Sequence, residues 1–536
     1  MKKKIVNVFL VMLLAVSMIW EGIGQFQKPD YILAAHYFAD EWPINFWNAE
    51  WDNIDQDLEQ IKDDGFNTVI IVIPWREFQT EIQPVRYNDY AFSRLEEFME
   101  AAQKAELMVQ IRLGYLNDYY GDDNSAERFY DILSDENTKV AWFEYAEKIY
   151  KTCSQYYNFG GGFITWEDFW HNYMLIDYVG GTENSVLFSV KDGFPEYLSE
   201  KYTIEEFNSI YQTNFLEFWE IGVPQRSDLY AEEWFYFIDQ FTIDLLVETR
   251  NYFPNLFMEV RTDGDKVGTH SGEVESISHK DTWDCGNGEF TTIMYKPVQG
   301  TSGIEGKVSA EKALDYLEKW LDQIYQNNGK RKIFIDQFLY VDNTPGYEGG
   351  NIIYDEEMPL YFAGCTDSFK KYTNGYGVWV YRDYGNNMLF NPQFALGLEG
   401  WEYGGEVYCE NRDGSNKLFM SSDSEVMQLV PQWRIMSGTQ DTTAYFCFDY
   451  ETSEPTKLVL TVGKQQQEYN VEGEGRACLE FMTTEDMTVH IYSDGNIILD
   501  NIMLYNFVQS QSLYSMEGKE LSDLAGVRLL NKLMSE

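Results

Sequence analysis

Eight short apolar runs recur along the first 390 residues, at 32–35, 68–73, 107–113, 162–165, 256–260, 291–294, 332–335 and 377–380. Residues 88–104, 231–252 and 309–326, between such runs, carry apolar side chains at helical spacing. Alternating strand and helix imply parallel strands joined by right-handed crossovers. Eight such units in about 360 residues fit a closed (β/α)8 TIM barrel of the α/β class with insertions. An open doubly wound sheet is the structural alternative, but no glycine-rich phosphate loop follows the first run. The stretch 168–255 is too long for a single helix and is expected to cap one rim. The barrel is therefore expected over residues 30–388.

Beyond residue 386 the pattern changes to short alternating strands, clearest at 444–450, 457–461 and 488–492, with turn signals at 412–414 and 493–495. An all-β sandwich is expected over 389–507, followed by a short amphipathic tail at 508–536. The chain has 536 residues, with 40 Lys and Arg against 88 Asp and Glu, for a formal charge of −48. Such a surface repels a phosphate backbone, which excludes nucleic acid as a partner. Aromatic residues make up 17% of the chain. Their flat, half-polar surfaces suit a sugar-binding cleft as well as a core.

Three lysines at 2–4 precede the apolar run 5–19, and small residues follow at 22–24. This is the pattern of a secretory signal peptide over 1–24, and the run is short for a spanning helix. A secreted, extracellular protein with no integral membrane segment after cleavage is expected; an uncleaved anchor is the alternative. Six cysteines, without a CxxC pair, form no metal-ligand pattern, and most are expected to be buried thiols. No cofactor and no metal site are implied.

In a barrel of parallel strands the chemistry gathers at the C-terminal ends of the strands. The fourth run ends in Trp166-Glu167-Asp168 and the seventh in Asp336-Gln337. A carboxyl among aromatics is partly desolvated, as a general acid requires, and a second carboxyl across the mouth completes a glycosidase pair. Glu167 and Asp336 are thus the candidate catalytic residues. Arg112, Tyr295, Trp379 and Arg382 close other runs and, with Trp166 and Gln337, are candidate substrate-binding residues. A salt bridge from Glu167 to Arg112 and a rim role for Asp336 are the bland alternatives. His36 ends the first run, where a buried, hydrogen-bonded histidine is the commoner outcome.

At these residues the sequence resembles the retaining (β/α)8 glycoside hydrolases of the clan that includes β-galactosidases and cellulases, most closely family 42. The stretches 74–78, 95–98 and 111–115 are similar to that family's barrel entry, and 197–208 with 221–224 look like its insertion after the acid. The resemblance implies Glu167 as acid/base and Asp336 as nucleophile. This chain has Trp166 where the family has Asn before the acid. In the register of the cellulase-like families, Gln337 takes the nucleophile position instead. Residues 391–394, 397–401 and 499–502 resemble the jelly-roll carbohydrate-binding modules found beside polysaccharide hydrolases. Together these imply a secreted glycosidase that cleaves β-linkages of an oligo- or polysaccharide. The alternatives are a catalytically degenerate barrel that binds polysaccharide and an extracellular structural protein.

Overall fold

The computed structural model describes residues 28–43, 45–49, 51, 53–115, 126–285, 290–297, 306–339, 352–412, 415–430, 443–482, 487–506, 508–509 and 512–536. The expected signal peptide at 1–24 and the turn residues 413–414 lie outside them. The first domain is a closed barrel of eight parallel strands: β1 (Ile32–His36), β2 (Thr68–Ile73), β3 (Met108–Leu113), β4 (Phe159–Thr165), β5 (Phe257–Glu259), β6 (Phe290–Tyr295), β7 (Lys332–Phe338) and β8 (Thr373–Val378). Each strand pairs with the next in sequence, and β8 closes on β1 with Ile32 opposite Gly375.

One layer inside the barrel is apolar. Ile32 and Ala34, Ile70, Met108, Phe163, Phe257, Phe290 and Phe334 form a separate buried cluster, with side chains from β1 through β7. The eighth strand supplies glycine instead. A Cβ on Gly375 would lie 2.5 Å from the Ile32 Cβ, and one on Gly377 would lie 2.7 Å from the Asp336 carbonyl oxygen, so neither position has room for a side chain. Because strand side chains alternate, the next inward positions above this layer are His36, Gln110 and Arg112, Glu259, Thr292 and Asp336. Every one of them is buried and polar.

The outer ring contains α1 (Ile54–Asp63), α2 (Asp89–Lys104), α3 (Glu136–Cys153), α4 (Ala231–Thr249), α5 (Ala310–Asn327) and α6 (Met358–Tyr372). Asn88 caps α2 by accepting from the Ala91 N–H, and Ser309 caps α5 through Lys312. Four short helices between residues 170 and 211 fill the insertion after β4. A hairpin, Gly264–Gly268 with Val274–Ser278, stands between β5 and β6, where no α-helix occurs among the described residues.

The ring is completed from the far end of the chain. Helix α7 (Leu524–Ser535) buries Leu524, Val527, Leu530 and Met534 and packs on α6 so closely that a Cβ on Gly526 would meet the Phe362 ring at 2.2 Å. Asn531 receives the Tyr376 hydroxyl and donates to the Asp64 carbonyl at 3.0 Å. Asp64 also accepts from Arg528 at 2.7 Å, Tyr381 at 2.7 Å and Tyr514 at 2.9 Å. The terminal helix therefore takes the place of an eighth barrel helix.

Between these segments lies an antiparallel β-domain with its own core: β9 (Glu402–Gly404), β10 (Val407–Arg412), β11 (Ser415–Met420), β12 (Ser424–Val430), β13 (Thr443–Val462), β14 (Gln465–Met482), β15 (Met487–Ser493) and β16 (Ile497–Tyr505). The order is β9-β12-β15-β13-β16-β11-β10, with β14 also paired to β13. The long β13 has its register interrupted between Thr452 and Thr456, its first part pairing with β16 and its second with β15. Cys447 and Cys478, directly opposed on β13 and β14, form a disulfide. Cys153, Cys285, Cys365 and Cys409 are free thiols.

Candidate active site

Three carboxyl groups converge where the barrel opens, from the ends of β4, β5 and β7. Glu167 follows β4 in a short turn, and its side chain is 33% exposed. Its Oε2 lies 3.2 Å from Arg112 Nη2, so the salt-bridge alternative is realised. Arg112 is held in turn by Thr165 at 3.0 Å and Asp168 at 3.3 Å, and Thr165 donates to Asp168 at 3.0 Å. Burial works against the Arg112 charge, but Asp168, Glu167 and Glu259 outweigh it and raise its pKa. Each contact made by Glu167 among the described residues falls on Oε2, which leaves Oε1 unengaged.

The second expected carboxyl is not at the surface. Asp336 is fully buried, at 0% exposure. A bulge explains its position. The register of β7 slips against both neighbours near Asp336, so that Asp336, two residues after the inward Phe334, and Gln337 both face the barrel interior. Gln337 lies across from Glu167, with Nε2 at 3.5 Å from Glu167 Oε2 and 3.3 Å from Glu259 Oε2. Asp336, beneath it, is close enough to Glu259 for its charge to raise the pKa of that carboxyl. Neither Asp336 side-chain oxygen has a hydrogen-bond partner among the described residues.

Burial pushes the Asp336 carboxyl up to about 7, and burial with the nearby Asp336 and Glu167 charges pushes Glu259 well above the usual range. With both carboxyls raised by burial, the pair resists carrying two negative charges at once. His36 is buried with its Nε2 2.9 Å from the Asp336 carbonyl oxygen, and burial lowers it to about 3, so the ring is neutral and donates through Nε2. As an exposed nucleophile, Asp336 fails on geometry: it presents no accessible atom to a saccharide.

Glu259 was within an expected strand but was not itself singled out. The signal lay in the alternation Phe257-Met258-Glu259, which turns an acid to the same side as the interior Phe257.

The other expected binding residues divide. Trp166 and Trp379 are half-buried; Arg261 lies over the Trp166 ring at 4.9 Å, and Trp379 packs against His36 at 4.8 Å and Phe38 at 5.4 Å. Two others face away from the mouth. Tyr295 is five residues after the inward Phe290, which turns it outward, where it stacks on Phe338 at 6.2 Å and is fully buried. Arg382 pairs with Asp57 of α1 at 2.6 Å, and Asp57 also accepts from Tyr37 at 2.6 Å, so its guanidinium holds the fold together. Among the described residues no group of three or more His, Cys, Asp and Glu is arranged to hold a metal, and no helix is long and apolar enough to cross a membrane.

No family model matches this chain, and no curated protein sequence does. Solved structures resemble it in part. The exo-beta-1,4-mannosidase Op5Man5 from Opitutaceae bacterium strain TAV5 aligns at 14% identity and a TM-score of 0.39 over 66% of this chain, which spans 52% of that protein's length. A GH5_18 protein from Streptomyces cattleya in complex with GlcNAc aligns at 11% and 0.40, over 67% of this chain and 72% of the other. A GH5_18 protein from Bifidobacterium longum subsp. infantis aligns at 12% and 0.40, over 66% and 70%. At this level of likeness the chemistry has to be read from the residues of the site.

Proposed function

We propose that this protein is a secreted glycoside hydrolase that cleaves β-linkages of an oligo- or polysaccharide at the barrel mouth, with Glu167 protonating the leaving oxygen. One observation carries this: Glu167 is a partly open carboxyl at the end of a barrel strand, anchored through Oε2 by a buried arginine and with Oε1 unengaged by any described residue. An anchored acid with one free oxygen is what proton transfer to a glycosidic oxygen requires. Trp166 and Trp379 offer half-buried rings for a pyranose face. The family-42 resemblance supports the same strand for the acid. The C-terminal domain, read as a jelly-roll carbohydrate-binding module, has Tyr403 and Tyr408 exposed, with Tyr408 stacked on Phe419 at 5.0 Å, as a sugar platform. Hydrolysis of a panel of aryl β-glycosides and β-linked polysaccharides by the wild type and by Glu167→Gln tests the assignment. Activity lost in the variant with binding retained is expected.

A second reading is favoured by one feature. Gln337, an amide, faces Glu167 where a two-carboxylate enzyme needs its nucleophile, while Asp336 lies buried. A degenerate barrel that binds polysaccharide would show binding with no turnover by the wild type.

A further inference from the structure

We infer that the site acts on β-linked N-acetylhexosaminides and takes its nucleophile from the substrate's own acetamido group, which the Gln337 amide positions. This rests on the hydrolase assignment above and deepens it.

An amide nitrogen cannot attack an anomeric carbon, because its lone pair is delocalised into the carbonyl. Asp336 has no exposed atom, and Glu259 is equally buried at 0% exposure. Neither carboxyl can reach the sugar. Among the described residues, what the mouth holds instead is an oriented amide. The Gln337 nitrogen lies between two carboxyl oxygens, at 3.3 Å from Glu259 and 3.5 Å from Glu167, and because Glu167 Oε2 already accepts from Arg112 at 3.2 Å it takes an N–H of Gln337, not its carbonyl. That fixes the amide against flipping and leaves Oε1 as its acceptor, with no hydrogen bond to any described residue. An acceptor beside the acid that no described residue engages complements a substrate N–H. The group that carries an N–H next to the anomeric centre, and a carbonyl oxygen able to close a five-membered ring on it, is the acetamido substituent.

In the first step the acetamido oxygen bonds to the anomeric carbon as the bond to the leaving oxygen breaks. That oxygen takes the bond's electron pair and the Glu167 proton. The positive charge of the resulting oxazolinium ring is shared by its N–H, which donates to Gln337 Oε1. In the second step water attacks the anomeric carbon and gives a proton to the Glu167 carboxylate. The ring carbon–oxygen bond breaks, restoring the amide and the original anomeric configuration.

The test compares p-nitrophenyl β-N-acetylglucosaminide and β-N-acetylgalactosaminide with the matching glucoside, galactoside and mannoside, using the full chain. Expected is a preference of about a hundredfold or more in kcat/KM for an acetamido sugar, the scale of an intramolecular nucleophile's advantage. Rates should fall steeply along the acetyl, fluoroacetyl, difluoroacetyl and trifluoroacetyl series, since fluorine withdraws electrons from the attacking oxygen. A thiazoline mimic of the oxazoline should inhibit competitively. Gln337→Ala should lose about a hundredfold on the acetamido sugar, as for removal of a transition-state hydrogen bond, and should weaken thiazoline binding, with an unchanged Tm marking an intact fold. Plain glycosides cleaved as fast as acetamido sugars, or no slope along the fluorine series, would overturn the inference while leaving the hydrolase intact. Absence of turnover on every sugar, with or without thiazoline binding, would overturn both.

Discussion

Arg112 Nη2 stands 3.2 Å from Glu167 Oε2, linking the end of β3 to the end of β4 across the barrel mouth. The arginine side chain is 4% exposed and also holds Asp168, so it is a buried cation serving two carboxylates. Arg112→Met should cost about 3–5 kcal/mol of stability by leaving those charges without their partner. It should also reduce kcat/KM about a hundredfold through a misplaced acid. Chemical denaturation and steady-state kinetics on the same preparation measure both losses.

The Glu259 and Asp336 pair gives stability a pH dependence. Asp336 is raised to about 7 in the folded chain, so the folded state holds a proton that the unfolded chain releases near pH 4. Stability is therefore fullest below about pH 4 on this account and is lost as pH rises through about 7, by up to about 4 kcal/mol for Asp336. Melting temperatures between pH 4 and 8 should fall in the wild type more steeply than in Asp336→Asn, which has no charge to form.

Arg382 offers a contrast with Arg112. Its ion pair with Asp57 is largely buried, at 13% and 8% side-chain exposure, and lies on the outer side of β1. Arg382→Met should lower Tm while leaving KM for any cleaved glycoside unchanged, so melting and kinetics on one variant separate a fold contact from a substrate contact.

The terminal helix should be part of the barrel's stability. Leu530→Ala in α7 removes a fully buried side chain and should cost about 2–5 kcal/mol. The first unfolding transition in calorimetry should shift with it, even though the substitution lies beyond the β-domain in sequence.

The barrel was legible because strands such as Ile32–His36, Thr68–Ile73 and Met108–Leu113 are largely apolar and buried on both faces. The eighth was expected at 377–380 but runs Thr373–Val378, since its inward positions are Gly375 and Gly377 and it carries little hydrophobic signal. Glu167 was legible as an acid ending an apolar strand. That Gln337 and not Asp336 faces Glu167 was the alternative implied by the cellulase-like register, and composition and period could not choose it, because a single-residue bulge leaves no mark in either. Tyr295 and Arg382 were expected at the mouth from their proximity to strand ends. Counting alternation from Phe290 would have turned Tyr295 outward, and only the tertiary structure brings Asp57 to Arg382. The ring-closing role of residues 524–535 depends on contacts with Asp64 and Tyr376, more than 150 residues away in sequence, which no local pattern encodes.

The most direct test concerns Glu167. Kinetics of wild type and Glu167→Gln on a β-glycoside the wild type cleaves, with a poor and a good aryl leaving group, separate proton donation from binding. The account predicts a loss of about a hundredfold or more on the poor leaving group, a smaller loss on the good one, and little change in saccharide affinity. Equal rates for variant and wild type would contradict it.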